Sequence, residues 1–325
     1  MSTGSRSPTW PARDPARRQR RPGRSPENAD VRGRSSARRR FGGACKAVGT
    51  LCGRRAPAAR TATTRVRTAS TRAPSAARCG AAAILHGMKN LAWQTSQGSR
   101  IVRVGVVRSA CYAVETGDGR RFLVDTAVPG ERAAIEAQLE RLGFDAFDAI
   151  LLTHAHGDHA GNAAAWSRRF GCPVFAPEGE ADQVRAGRCV LPAGATPLGA
   201  AVMAVQRRLH VCEAFEPVSD VRPLPLDEGA FGPCLKVVAT PGHTECSASF
   251  VVDGEVALVG DALIHRGRSV FPPFADRPER VGDAWRTLLG TGAETFLCAH
   301  GGPVGRALLE RSLEALERSG RSGRA

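Results

Sequence analysis

Thr153-His154-Ala155-His156-Gly157-Asp158-His159 gathers three of the chain's eight histidines and an aspartate into one short run. It follows the apolar run Ala149-Ile150-Leu151-Leu152, which reads as a buried strand over 148–152. A strand that ends in His-x-His-x-Asp-His delivers imidazoles and a carboxylate onto one tight loop. Zinc takes several N and O donors that converge within about 2.0–2.2 Å. His154 and His156 can turn the same way to share one ion, and Asp158 and His159 then point towards a second ion beside it. A lone histidine at a strand end is usually a partly exposed hydrogen-bonding residue. Three of them with an aspartate, between an apolar strand and a helical segment, are poorly explained by solubility.

Working outward from the loop, apolar runs ending in polar residues recur. Upstream, 101–107 and 110–116 read as strands, and Gly117-Asp118-Gly119 turns the chain into a further strand over 121–124 that ends at Asp125. Pro129 opens a helix over 130–142 that Gly143 stops. Downstream, a helix over 162–170 ends at Gly171, followed by a strand over 173–176 and helices over 178–186 and 196–209. Residues 211–226 show no clear periodicity, and His210 reads as an ordinary histidine. A strand over 231–239 delivers Thr240-Pro241-Gly242-His243, where Pro and Gly form a rigid turn that holds an imidazole in place. The hairpin over 247–259, turning at Asp253-Gly254, ends in Gly260-Asp261. A helix over 278–289, a strand over 295–299 ending at His300, and an amphipathic helix over 304–316 complete the pattern.

In this order the motifs resemble those of the metallo-β-lactamase-fold hydrolases. The His-x-His-x-Asp-His run is one; Phe122-Leu-Val-Asp125-Thr, Thr240-Pro-Gly-His243-Thr, Gly260-Asp261 and Ala299-His300-Gly301 are the others, and the resemblance spans roughly 101–311. It implies an α/β fold, an αββα sandwich of two facing mixed sheets flanked by helices. It also implies two divalent metal ions, with zinc foremost and iron or manganese as alternatives. His154, His156 and His243 would hold the first ion and Asp158, His159 and His300 the second, with Asp261 bridging. Asp125 and Thr153 would support the imidazoles from behind. Asp158, His154 and His243 are the catalytic candidates, and His265, Arg266 and Arg268, just after Asp261, are candidates for recognising an anionic part of a substrate. Phe271, Phe274 and Trp285 read either as a pocket wall or as core.

The β-lactamases of the family use a cysteine at the second site where this chain has Asp261, so the Asp-bridged pattern resembles glyoxalase II and the broader hydrolases. The implied activity is metal-dependent hydrolysis of a small ester, thioester or lactone by water deprotonated at the ions. Lactonases of the family place a tyrosine near the carbonyl; the chain's one tyrosine, Tyr112, falls in an early strand. Two alternatives remain at this level. One is a mononuclear iron enzyme like the persulfide dioxygenases; the other is a metal-binding scaffold without catalysis, with a basic arm for nucleic acid.

The charge is unevenly distributed. The chain carries 46 Lys+Arg against 31 Asp+Glu, a net of +15. Residues 1–87 hold 19 Arg and one Lys against three acidic residues, which leaves 26 basic and 28 acidic residues for 88–325. A nucleic-acid partner is therefore expected only if the N-terminal arm is real. The arm's Arg/Ala/Pro bias without apolar periodicity predicts disorder. It also suits an over-extended reading frame, with Met88 as the start of a catalytic domain over 88–318 and a disordered tail over 319–325. Ten scattered cysteines without a C-x-x-C pair suggest no disulfide framework and a cytoplasmic protein. No apolar run is long enough to span a membrane. The expected partner is a small-molecule substrate, and the oligomeric state stays open between monomer and dimer.

Overall fold

The structure is a computed structural model that describes residues 92–105, 109–209 and 214–320. The expectations for 1–87, for Met88 and His210, and for most of the tail lie outside the described residues.

The first sheet begins with four antiparallel strands, β1 (Ala92–Gln94), β2 (Arg100–Val104), β3 (Cys111–Glu115) and β4 (Arg121–Val124). It continues in parallel through β5 (Ala149–Leu151), β6 (Val174–Ala176) and β7 (Val221–Pro223). Helices make the parallel crossovers: α1 (Arg132–Arg141), the single turn α2 (Gly157–Ala160), α3 (Ala163–Phe170), α4 (Ala181–Ala186) and α5 (Pro197–Arg208). The second sheet runs in the spatial order β12-β11-β10-β9-β8. Its members are β8 (Leu235–Ala239), β9 (Ala248–Val252), β10 (Val256–Gly260), β11 (Thr295–Cys298) and β12 (Val304–Gly305), and only β10 and β11 are parallel. The helices α6 (Val281–Gly290) and α7 (Arg306–Arg318) cover it. Both sheets are mixed, as the resemblance implied.

Strand alternation sets the layers. Leu123, Ile150 and Val174 pack with Ile135 and Leu139 of α1, Trp166 of α3 and Val184 of α4 in one core. Ala257, Val259 and Phe296 pack with Trp285 and Leu288 of α6 and Leu309 and Leu313 of α7 in another. The intervening positions point between the sheets, so strands of both sheets are buried on both faces and read as continuous apolar runs. Phe231 fills this middle layer, with its ring centroid 5.7 Å from Phe122 and 5.0 Å from Phe175.

The structure departs from the sequence expectations at several edges. The strand expected over 231–239 starts only at Leu235, because Gly232 turns at φ +92° and Pro233 has no N–H to give a ladder. Residues 221–223, in a region without visible periodicity, pair as β7 at the sheet edge. Val304 and Gly305, expected to open the last helix, instead pair with β11.

Candidate metal centre

Each ligand loop leaves the C-terminal end of a strand. After β5 the chain makes one turn of helix, α2, so His154 and His156 precede it while Asp158 and His159 lie on it. The cluster expected on a loop is thus half helical. Gly161 is required here, since a Cβ would lie 2.4 Å from the Gly157 carbonyl oxygen and 2.7 Å from that of Ala127. His243 follows β8, Asp261 follows β10 and His300 follows β11. One sheet supplies four of the polar groups and the other sheet supplies three.

These side chains converge. His154 Nε2 lies 2.9 Å from His156 Nδ1, and His243 Nε2 lies 3.0 Å from the same nitrogen. His300 Nε2 is 3.1 Å from Asp158 Oδ2. Asp261 stands between the two sets: Oδ2 is 3.5 Å from both His243 Nε2 and His300 Nε2, and Oδ1 is 3.5 Å from His159 Nε2. His154, His156 and His243 form one group whose ligand atoms lie within 4.8 Å of one another. Asp158, His159 and His300 form a second such group, and His154, His159 and Asp261 link the two.

The hydrogen bonds behind the imidazoles decide what the inner nitrogens carry. The Phe274 carbonyl lies 2.8 Å from His243 Nδ1, so that nitrogen is the donor and Nε2 keeps a bare lone pair. Asp125 Oδ2 lies 2.8 Å from His159 Nδ1 and fixes its tautomer in the same way. Asp125 also accepts from the Thr153 N–H at 2.8 Å and from its hydroxyl at 2.9–3.0 Å, and that hydroxyl lies 3.0 Å from His154 Nδ1. His159 Nε2 and Asp261 Oδ1 are buried and have no hydrogen-bond partner. Buried polar atoms left without a partner are costly alone and are relieved by a cation. The donor set therefore fits two divalent ions.

The same crowding sets the charge states of the metal-free protein. Burial and the neighbouring imidazoles push His154 well below the usual histidine range, and burial, with His243 close by, lowers His156 to about 3. His243 is lowered too, by burial. Burial also disfavours the charged form of His159, but Asp125, Asp158 and Asp261 outweigh it and raise that ring to about 10. His300 is raised by Asp261 and Asp158 against its burial. For Asp158 the desolvation is overcome by His159 and His300, which hold its carboxyl below the usual range.

The Metallo-beta-lactamase superfamily model matches residues 104–300, more than half of the chain. The chain belongs to this superfamily. A hydroxyacylglutathione hydrolase of Xanthomonas axonopodis pv. citri (strain 306) is 28% identical over 217 residues, which cover 63% of this chain and 70% of that protein. Metallo-beta-lactamase domain-containing protein 1 of Xenopus laevis is 30% identical over 188 residues, 56% of this chain and 66% of that one. An archaeal metallo-beta-lactamase superfamily protein from Sulfolobus tokodaii shares the fold, with a TM-score of 0.51 at 18% identity, over 68% of this chain and 86% of that one.

Beside the superfamily site lies a cleft of about 270 Å³. His156, Asp158, His243, Asp261 and His300 form its floor, and Leu191, Pro192, Met203, Ile264 and Phe274 give it apolar walls. Gln206 of α5 and Arg266 are the polar groups on those walls. Of the three substrate candidates, only Arg266 lines this cleft. His265 has its ring nitrogens 3.2 Å from the Gly302 and Gly267 carbonyl oxygens, and Arg268 is exposed away from the lining set. Phe274 is a wall residue, whereas Trp285 belongs to the core and packs on Phe271. Tyr112 donates from its hydroxyl to the Cys298 carbonyl at 2.6 Å and does not line the cleft.

Sequence reasoning missed two residues here. Asn162 donates from Nδ2 to the carbonyls of Thr126, Ala127 and Val128 and holds the loop that follows Asp125. Glu180 is buried, with one carboxylate oxygen on the Ala155 N–H and the other on the Thr244 hydroxyl. Burial raises its carboxyl, and those two hydrogen bonds counteract the rise. The only sequence cue for either is a polar residue at a helix start, which ordinarily reads as a cap.

Proposed function

We propose that this protein is a zinc-dependent hydrolase of small acyl thioesters and esters, with an anionic group on the substrate held near Arg266. The observation that carries the reading is the convergence of buried imidazole and carboxylate lone pairs on the floor of an otherwise apolar cleft. His154, His156 and His243 would hold one ion, Asp158, His159 and His300 the other, and Asp261 would be shared. When bound, such a pair supplies Lewis acidity and brings the pKa of water down towards 7.

The chain's own groups do the rest. Asp158 is a quarter exposed on the cleft floor and remains ionised, so it can accept a hydrogen bond from water and orient it. Asp125 and the Phe274 carbonyl fix the His159 and His243 rings so that their Nε2 lone pairs face inward. The apolar walls exclude competing water and take a small acyl group, since the cleft lies at or below the small end of ordinary ligand pockets, which span about 300–1,000 Å³. The relatives named hydroxyacylglutathione hydrolases make the acyl thioester the first class to test. Buried thiols outside any disulfide at Cys111 and Cys298 suit a reducing compartment, which supports a cytoplasmic location. Among the described residues, no helix is long and apolar enough to cross a membrane.

The test is metal analysis of the purified chain together with rates on matched thioesters, esters and lactones. Two equivalents of zinc and turnover of thioesters are expected. Asp158→Asn, which keeps the shape but removes the charge of a proposed ligand, should lower kcat by about 10²-fold and weaken the second zinc equivalent in the same metal analysis. Iron as the bound metal with no hydrolysis of any acyl substrate would overturn the reading. Equal turnover of anionic and neutral acyl groups would remove the role given to Arg266.

A further inference from the structure

The three-histidine set is assembled across the join between the sheets. His154 and His156 follow β5 of the first sheet, and His243 follows β8 of the second. His243 Nε2 meets His156 Nδ1 at 3.0 Å only if the two loops keep a fixed separation. A metal site tolerates displacements of roughly 0.5 Å, so something must set that separation.

Glu180 stands at this place. It ends the short 3-10 turn Glu178–Glu180 after β6 and is 5% exposed. Its Oε2 accepts from the Ala155 N–H, between His154 and His156, at 2.5 Å. Its Oε1 accepts from the hydroxyl of Thr244, the residue after His243. Thr244 is fixed in turn by Ser247, whose Oγ lies 2.6 Å from the Thr244 hydroxyl and 3.1 Å from its N–H. Gly179 permits the approach, since a Cβ there would lie 2.4 Å from Cys246 Sγ. A buried carboxylate is costly unless its oxygens are paired, and here the two oxygens pair with different ligand loops.

We propose that Glu180 is a positioning residue: its carboxylate is a strut that sets the spacing of the two loops, so that His154, His156 and His243 converge before a cation binds. This rests on the reading that the three-histidine set holds a divalent cation. The second set has its own tie across the join, from the Ala110 N–H to the Ala299 carbonyl at 2.9 Å, and the neighbouring Ser109 hydroxyl holds the Asp158 carbonyl within the first half at 2.5 Å. Loss of Glu180 should therefore act on one metal site and spare the other.

The experiment is calorimetric titration of the metal-free full chain with Zn²⁺ and with Co²⁺, following the Co²⁺ absorption bands. The proteins compared are the wild type, E180A, E180Q, T244V and H243A, the last identifying which site contains the three histidines. E180A should weaken that site about 10–100-fold and leave the other within threefold. E180Q, whose amide can accept from Ala155 and donate to Thr244, should recover the affinity and the Co²⁺ spectrum. T244V, which loses one of the two links, should fall between them. A role confined to packing would lower the melting temperature of metal-free E180A and leave the ratio of the two affinities at its wild-type value, which overturns the proposal. If E180A does not fold, an unchanged ratio in T244V overturns it equally. A wild type that binds no cation sinks the metal reading and this proposal together, whereas two sites of unaltered ratio in the variants sink this proposal alone.

Discussion

Asp125 illustrates how much one residue carries at this site. It sits in the left-handed region at φ +57°, which a short polar side chain tolerates better than most. From there its carboxylate accepts from Thr153 and from His159, so one side chain orients the start of the metal loop and a ring on its helical turn. Asp125→Asn is expected to weaken zinc binding about 10–100-fold, read by zinc titration, with little change in the cleft walls. Gly260 is the matching position on the other sheet. It has φ +50°, and a Cβ would lie 2.5 Å from the Thr153 hydroxyl. Gly260→Ala should cost about 1–3 kcal/mol in urea denaturation of the metal-free protein and displace Asp261 with it. Both residues were legible in the sequence because each is a polar or glycine residue closing an apolar run. Glu180 and Asn162 were not, because their partners are backbone groups and a hydroxyl that only the folded chain brings near.

At the level of elements, the strands buried on nearly every position were readable and those with little buried pattern were not. The strands β4, β5, β10 and β11 are buried on nearly all positions, so each reads as an apolar run. In contrast, β7 has one buried residue followed by two exposed ones, too little pattern to separate from a loop. Proline and glycine just before β8 turn Phe231 into the middle layer, although its apolar character suggests a longer strand. Tyr112 shows the same limit in a different form. A tyrosine in a metallohydrolase invites a catalytic reading, yet its hydroxyl joins β3 to the end of β11 across the middle layer, and burial pushes the phenol well above its usual range. Tyr112→Phe should cost about 1–3 kcal/mol by leaving a buried carbonyl without that donor. Metal analysis of the variant should still find two equivalents; a loss of metal would mean that the tie positions His300.

For the whole molecule, the two halves of the metal centre answer pH with opposite signs when the metal is removed. His156 falls from the usual 6.5 to about 3 in the fold, chiefly through burial. The unfolded chain then binds the extra proton first, so this group erodes stability as pH drops from 6.5 towards 3. His159 rises to about 10 because Asp125, Asp158 and Asp261 outweigh its desolvation. Its contribution is complete below 6.5 and is lost as pH climbs through 10. Metal-free protein should therefore be squeezed from both sides, with the acid side set by the three-histidine set and the alkaline side by the aspartate-rich one. Zinc at 100 times its Kd should add about 2.7 kcal/mol near neutral pH and lose that effect in acid, where protons compete for the same nitrogens. Urea midpoints of metal-free wild type and His156→Asn, taken from pH 8 to pH 4, test the acid arm. The wild type should lose stability more steeply than the variant below pH 6.5, since the asparagine side chain has no proton to gain. Parallel curves would mean that His156 is not held neutral by the fold, and that the three imidazoles do not form the preassembled, proton-free site their distances describe.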